Sequence, residues 1–145
     1  MLPKYFLTFA CLTLWLLTFS IGAFIDTNPL RAGLNQQFVF RDFLLVVLAW
    51  TPTNLGILSI LAGLSGALCH SLLRGLEVGE EQISPIKESS RILGGAIAGL
   101  MFYLSLMAGA FLLMNEPFDV TTKEQYFRIS GVVSLIAFLA GFRPD

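Results

Sequence analysis

A chain of 145 residues with 55% hydrophobic and only 13% charged side chains carries about half the charge of a soluble domain, where roughly 25% is usual. Its net charge of −1 excludes the basic patch that a nucleic-acid partner requires. One histidine and two cysteines, Cys11 and Cys69, both inside apolar runs and not arranged as CxxC, exclude a metal or thiol-redox centre of closely spaced ligands, so no cofactor is expected.

A helix needs about 20 apolar residues to cross a hydrocarbon core of roughly 30 Å. The first such run is 5–25. Lys4 before it imitates a secretory leader, but the apolar stretch exceeds the roughly 7–15 residues of a leader core, and Ile21 spoils a small-x-small cleavage site ending at Ala23. It reads as a retained helix. The segment "DTNPLRAGLNQQFVFRD" that follows has turn chemistry in Asn28-Pro29 and Gly33.

The second run, 43–69, would extend about 40 Å as one helix, more than the membrane core. Two solutions are open. The helix can kink at Pro52, which has no N–H and leaves the Leu48 carbonyl unpaired. Alternatively it stops and restarts, with Thr51 as N-cap and Pro52 in the first helical position. Pro52 to Cys69 would then cover about 27 Å, with Trp50 at the interface where tryptophan is enriched. In a broken helix, Asn54 with Thr51 and Thr53 could coordinate water or a solute; equally, these side chains could satisfy the backbone that proline frees.

Along this run Pro52, Gly56, Ser59, Gly63, Gly66 and His70 recur at spacings of 4, 3, 4, 3 and 4, which keeps them on one side of a helix. Beyond it, Leu72, Leu73 and Leu76 extend the helical pattern towards Gly79, and the loop that follows mixes Glu77, Glu80, Glu81 and Glu88 with Arg74, Lys87 and Arg91. The third run, 92–114, repeats the small-residue theme with Gly95, Ala98, Ser105 and Gly109, interrupted by Phe102. Its "GAIAG" is a GxxxG match from Gly95 to Gly99. The short connection "NEPFDVTTKEQ" makes the third and fourth runs an antiparallel hairpin. The fourth run, 127–142, is short and starts at Arg128, whose stem can snorkel to the interface. It adds Gly131, Ser134 and Gly141, and the first run contributes Thr18 and Gly22.

Small residues let helices approach closely in lipid, where no hydrophobic force drives association, so the stripes read as packing seams. In an oligomer the same stripe could instead line a wide pore, with Ser59 and Ser65 as wetted hydroxyls on the second helix. No Asp, Glu, Lys or Arg lies near the middle of any run, which argues against a proton-coupled pump or secondary transporter. His70, at a helix end, is the one candidate for a gate or pH-sensitive group. Glu116 and Asp119 are paired carboxylates without a histidine or nucleophile beside them, so no enzyme activity is expected. Acidic and basic residues on the side opposite the termini, such as Asp26, Asp42, Arg31 and Lys123, would form a mixed-sign rim.

Five basic residues (Lys4, Arg74, Lys87, Arg91, Arg143) fall on the side of the termini against four (Arg31, Arg41, Lys123, Arg128) on the other, a lean that places both termini in the cytoplasm. The stretches "YFRISGVVSLIAFLAGFRPD", "FRDFLLVVLAWTPTNLGILSILAGLSGALCH" and "GGAIAGLMFYLSLMAG" resemble small bacterial four-helix integral membrane proteins of unknown function. The resemblance covers the last two thirds of the chain and implies a bacterial inner-membrane location.

The expected fold is all-α: a single domain over 1–145 of four transmembrane helices, the second kinked or broken near Pro52. The expected function is a homo-oligomeric channel or pore-forming subunit passing ions or small solutes. The alternative is a non-catalytic scaffold or accessory subunit of a larger membrane complex. Membrane lipids, further copies of the chain, or another membrane protein are the expected partners.

Overall fold

The computed structural model describes residues 2–78, 85–113, 118 and 121–142, and among them every regular element is a helix. In chain order these are α1 (Leu2–Phe24), α2 (Asn28–Gln36), α3 (Phe40–Ala49), α4 (Thr51–Val78), α5 (Pro85–Leu113) and α6 (Lys123–Phe142). Four stretches within α1, α4, α5 and α6 are long and apolar enough to cross a membrane: Lys4–Phe24, Thr51–Leu76, Ile86–Leu113 and Lys123–Phe142. This is the architecture of a multi-pass membrane protein, with two short helices added to the four long ones.

The first long helix matches its apolar run closely. The segment after it does more than turn. Pro29 is the second residue of α2, where a missing N–H costs nothing, and Gly33 lies inside that helix. The run 43–69 is not one kinked helix. Residues up to Ala49 belong to α3, Trp50 is extended (φ −65°, ψ 126°), and the long helix restarts at Thr51. With 10 residues, α3 reaches only about 15 Å, half the membrane core. It packs on α1, α2 and α4, but only Ala49 is buried, and Phe40, Phe43 and Leu44 stay exposed.

Upstream of the expected 127, α6 begins at Lys123 because a reciprocal cap starts it there. The Thr122 hydroxyl accepts from the Gln125 N–H (3.3 Å), and the Gln125 side-chain carbonyl accepts from the Thr122 N–H (3.0 Å). Likewise α5 begins at Pro85, ahead of the expected 92. Met114, the expected end of that run, lies outside the described residues, as do the loop positions Gly79, Glu80, Glu81, Glu116, Asp119 and Arg143.

The hub is α4, which packs on α1, α3, α5 and α6. Of its apolar window 61% of residues are buried, against 6% for α5, so α4 is the core and α5 an outer wall. Leu55, Leu58 and Leu68 of α4 and Val133 of α6 are the fully enclosed large apolar side chains among the described residues. Around Leu58 and Ala23 an aromatic ladder joins α1 to α6: Trp15 stacks on Phe19 (5.4 Å), and Phe19 meets Tyr126 (5.7 Å) and Phe127 (5.5 Å). The helices alternate in direction. One end of the molecule therefore carries the start of α1, the end of α4, the start of α5 and the end of α6; the other carries α2, α3 and the breaks around them.

Candidate functional site

The helix break is held by one residue on each side. The Trp50 N–H donates to the Val46 carbonyl (2.8 Å), closing α3, while the Trp50 carbonyl accepts from the Asn54 N–H (2.9 Å) and the Thr53 hydroxyl (3.1 Å), opening α4. Trp50, not Thr51, is thus the N-cap. Thr51 and Pro52 are the first two helical residues, where orphan N–H groups make proline harmless.

Asn54 completes the break from within. One side-chain N–H donates to the Leu48 carbonyl (2.6 Å) and the other to the Thr18 carbonyl of α1 (2.8 Å), while its Oδ1 accepts the Tyr126 hydroxyl of α6 (2.7 Å). The same hydroxyl lies 3.1 Å from the Phe19 carbonyl. Asn54 is 0% exposed, so each of these groups would cost about 1–3 kcal/mol if left unpaired. The knot binds α1, α3, α4 and α6 through a single amide. Both donors and the acceptor oxygen are engaged within the bundle, and the side chain is fully enclosed. Gly22 makes the room: a Cβ there would stand 2.7 Å from Tyr126 Cζ and 2.8 Å from Asn54 Cγ.

The small-residue stripe of α4 divides between two seams. Added to Gly63, a Cβ would strike the Gly95 carbonyl; on Gly99 it would strike the Ser59 carbonyl; on Gly95 it would stand 2.6 Å from the Ala67 methyl. On the other flank a Cβ on Gly66 would strike the Phe138 carbonyl, and one on Gly141 the Gly63 carbonyl. Gly63 is the crossing point, with α5 on one side and α6 on the other. Gly56 sits under the Tyr103 ring, 3.2 Å from where its Cβ would be. Ser59 and Ser65, expected as wetted hydroxyls, are fully enclosed; Ser65 donates to the Leu61 carbonyl (2.8 Å) and lies 3.2 Å from the Cys11 sulfur.

Ser105 and Gly109, grouped with Gly95 on sequence spacing, do not join that seam. Ser105 is exposed and bonds only to its own helix, at the Met101 carbonyl (2.9 Å), and nothing lies within 4 Å of a Cβ on Gly109. At about 100° per residue, Gly94, Met101, Ser105 and Leu112 fall within about 20° of one line, whereas Gly95, Gly99 and Phe102 centre about 110° away. Two distinct faces therefore share α5, one inside the bundle and one outside.

His70 lies at the end carrying the termini. Its Nδ1 is 2.7 Å from Arg91 Nη1, and its ring meets Phe142 edge-on at 5.6 Å, so it links the end of α4 to α5 and α6. Beside it Glu88 receives both the Lys4 ammonium (2.8 Å) and the Ser71 hydroxyl, tying α1, α4 and α5. A cavity of about 640 Å³ borders Ser71, Arg74, Lys87, Glu88 and Arg91.

At the opposite end a second cavity, about 370 Å³, sits directly above the Asn54 knot. Its walls are the last residues of α1, the first of α2, α4 and α6, and the side chains of Asp26, Arg31, Trp50 and Lys123. The sequence reading put Arg31 and Lys123 on one rim without bringing them to one cavity. Tyr126 it did not single out at all; no local pattern marks a tyrosine whose partner is 72 residues away. Comparison of the chain with protein-family models, with curated proteins and with solved structures gives no match.

Proposed function

We propose that the protein is a non-catalytic integral membrane subunit, a four-span bundle that assembles in the bilayer through the outer face of α5. The observation that carries this reading is the division of small residues. Those of α4 are engaged in backbone-close seams within one chain, and those at Gly94, Ser105 and Gly109 are not. Small residues facing lipid let another helix approach closely. Met101 (58% exposed) and Leu112 (86% exposed) supply apolar side chains on the same line.

A ring of copies conducting ions or small solutes is the second reading. What favours it is the exposed Ser105 hydroxyl on the face through which copies would meet; the lining would then belong to α5, since α4 has little free surface. For either reading, a bacterial inner membrane with both termini cytoplasmic accords with the family resemblance and the five-to-four distribution of basic residues.

The test is mass in lipid nanodiscs, with Gly94→Leu/Ser105→Leu beside the wild type. The proposal expects the wild type to associate, with copies of itself or with a co-purified membrane protein, and the double variant to revert to a single chain with unchanged helicity. Association that survives the double variant would overturn it. A closed ring of four or more copies would select the channel reading and call for conductance recordings.

A further inference from the structure

The cavity above the Asn54 knot gathers positive charge from independent sources. Arg31 and Lys123 line it, and the amino ends of α2, α4 and α6 converge on it. Each such end carries about half a positive charge in unsatisfied N–H groups. Against these stand Asp26, already accepting the Asn28 N–H (3.0 Å), and the carbonyl ends of α1 and α3, which border the same cavity. The balance remains positive by about one and a half charges.

Both cations are held at the walls by aromatic faces. The Arg31 guanidinium lies over the Trp50 ring, 4.8 Å from its centroid, and the Lys123 ammonium lies over Phe24 at 6.0 Å. A guanidinium held against an aromatic ring can still present its N–H donors to an anion, and its fork matches two phosphate oxygens. Among the described residues no ion pair engages Arg31 or Lys123. The indole N–H of Trp50, another lining residue, is buried and has no partner among the described residues.

We propose that this cavity binds a phosphate group, held by the Arg31 fork and the Lys123 ammonium in the field of the three helix amino ends. The group is either the headgroup of an anionic phospholipid or a free phosphate. The volume, about 370 Å³, sits at the small end of ligand sites and is enough for one headgroup. This site is independent of how α5 assembles: the cavity belongs to the opposite side of α4 and is complete in one chain.

The test uses the full chain in phosphatidylcholine nanodiscs with Trp15→Phe, so that Trp50 fluorescence reports alone. Inorganic phosphate is titrated at constant ionic strength in one arm; phosphatidylglycerol replaces part of the lipid in the other. The proposal expects a saturable Trp50 response in at least one arm. Arg31→Gln and Lys123→Gln should each weaken it about tenfold or more, while Arg41→Gln and Arg128→Gln, exposed cations outside the cavity, leave it unchanged. A response to phosphate alone assigns a soluble anion, and to phosphatidylglycerol alone a lipid headgroup. Arg31→Lys keeps the charge and loses the fork, so an intermediate affinity with wild-type helicity is expected. No saturable response in either arm, or equal weakening by the control substitutions, would overturn the proposal.

Discussion

At the scale of single residues, Asn54 and Tyr126 govern how a broken helix survives in a dry interior. A carboxamide is suited to the task because it offers two donors and an acceptor oxygen in fixed geometry: the donors go to the Leu48 and Thr18 carbonyls, and the oxygen accepts the Tyr126 hydroxyl. The two residues should differ in weight. Tyr126→Phe removes one donor and leaves Asn54 Oδ1 unpaired, a loss of about 1 kcal/mol by the measure of interhelical bonds in membranes. Asn54→Leu leaves the Leu48 carbonyl, which Pro52 cannot serve, without a donor and removes the bonds to Thr18 and Tyr126 as well, and should cost at least about twice as much. Because the pair shares a bond, the double variant should lose less than the sum. Reversible unfolding in mixed micelles measures all three; strictly additive losses would mean that the bond contributes nothing. Asn54 was legible in the sequence as an oddity beside a proline. Its partners were not, since backbone carbonyls of α1 and a distant tyrosine leave no spacing to read.

At the scale of helices, the lesson lies in neighbouring glycines. The 4-3-4-3-4 stripe of α4 was readable as a close-packing face, and the structure places Gly56, Ser59, Gly63 and Gly66 in its seams. The partner stripe on α5 was misgrouped. Gly95 and Gly99 meet α4, yet Ser105 lies about 80° round the helix from Gly95 and faces out, and Gly109, although nearer the inner face, has no neighbour within 4 Å of a Cβ. The break before α4 and the early start of α6 were each carried by a short signal, proline after a tryptophan and a Thr-x-x-Gln box, that competes with a long apolar run. Stability should follow the geometry. Gly63→Ala forces a methyl onto the rigid Gly95 carbonyl and should destabilise by about 1–3 kcal/mol. Gly109→Ala meets open space and should leave stability unchanged or raise it by up to about 1 kcal/mol through helix propensity. Equal effects of the two in the same unfolding assay would contradict the seam.

For the whole molecule, packing and polarity sort by depth. The bundle is fastened at both ends by polar clusters, Asn54–Tyr126 at one and Lys4–Glu88–Ser71 with His70–Arg91 at the other. Between them small residues bring backbones together around α4. That arrangement encloses the helix whose composition most resembles a pore lining, and it puts the outward small residues on α5. Composition and run length were enough to read a multi-pass helical protein. Which helix would become the hub was not readable, because all four long helices are apolar nearly all round, and burial among them is decided by partners rather than by pattern. The enclosure of α4 is the claim on which the rest depends. Thiol accessibility tests it most directly, with Ser59→Cys, Ser65→Cys and Ser105→Cys each placed in a Cys11→Ala/Cys69→Ala background and challenged in nanodiscs with a membrane-permeant and a water-soluble thiol reagent. The account predicts that thiols at 59 and 65 resist both reagents until the protein unfolds, while the one at 105 reacts with the permeant reagent in the folded state. Reaction of Ser59→Cys or Ser65→Cys with the water-soluble reagent in folded protein would contradict it and return α4 to the wall of an aqueous path.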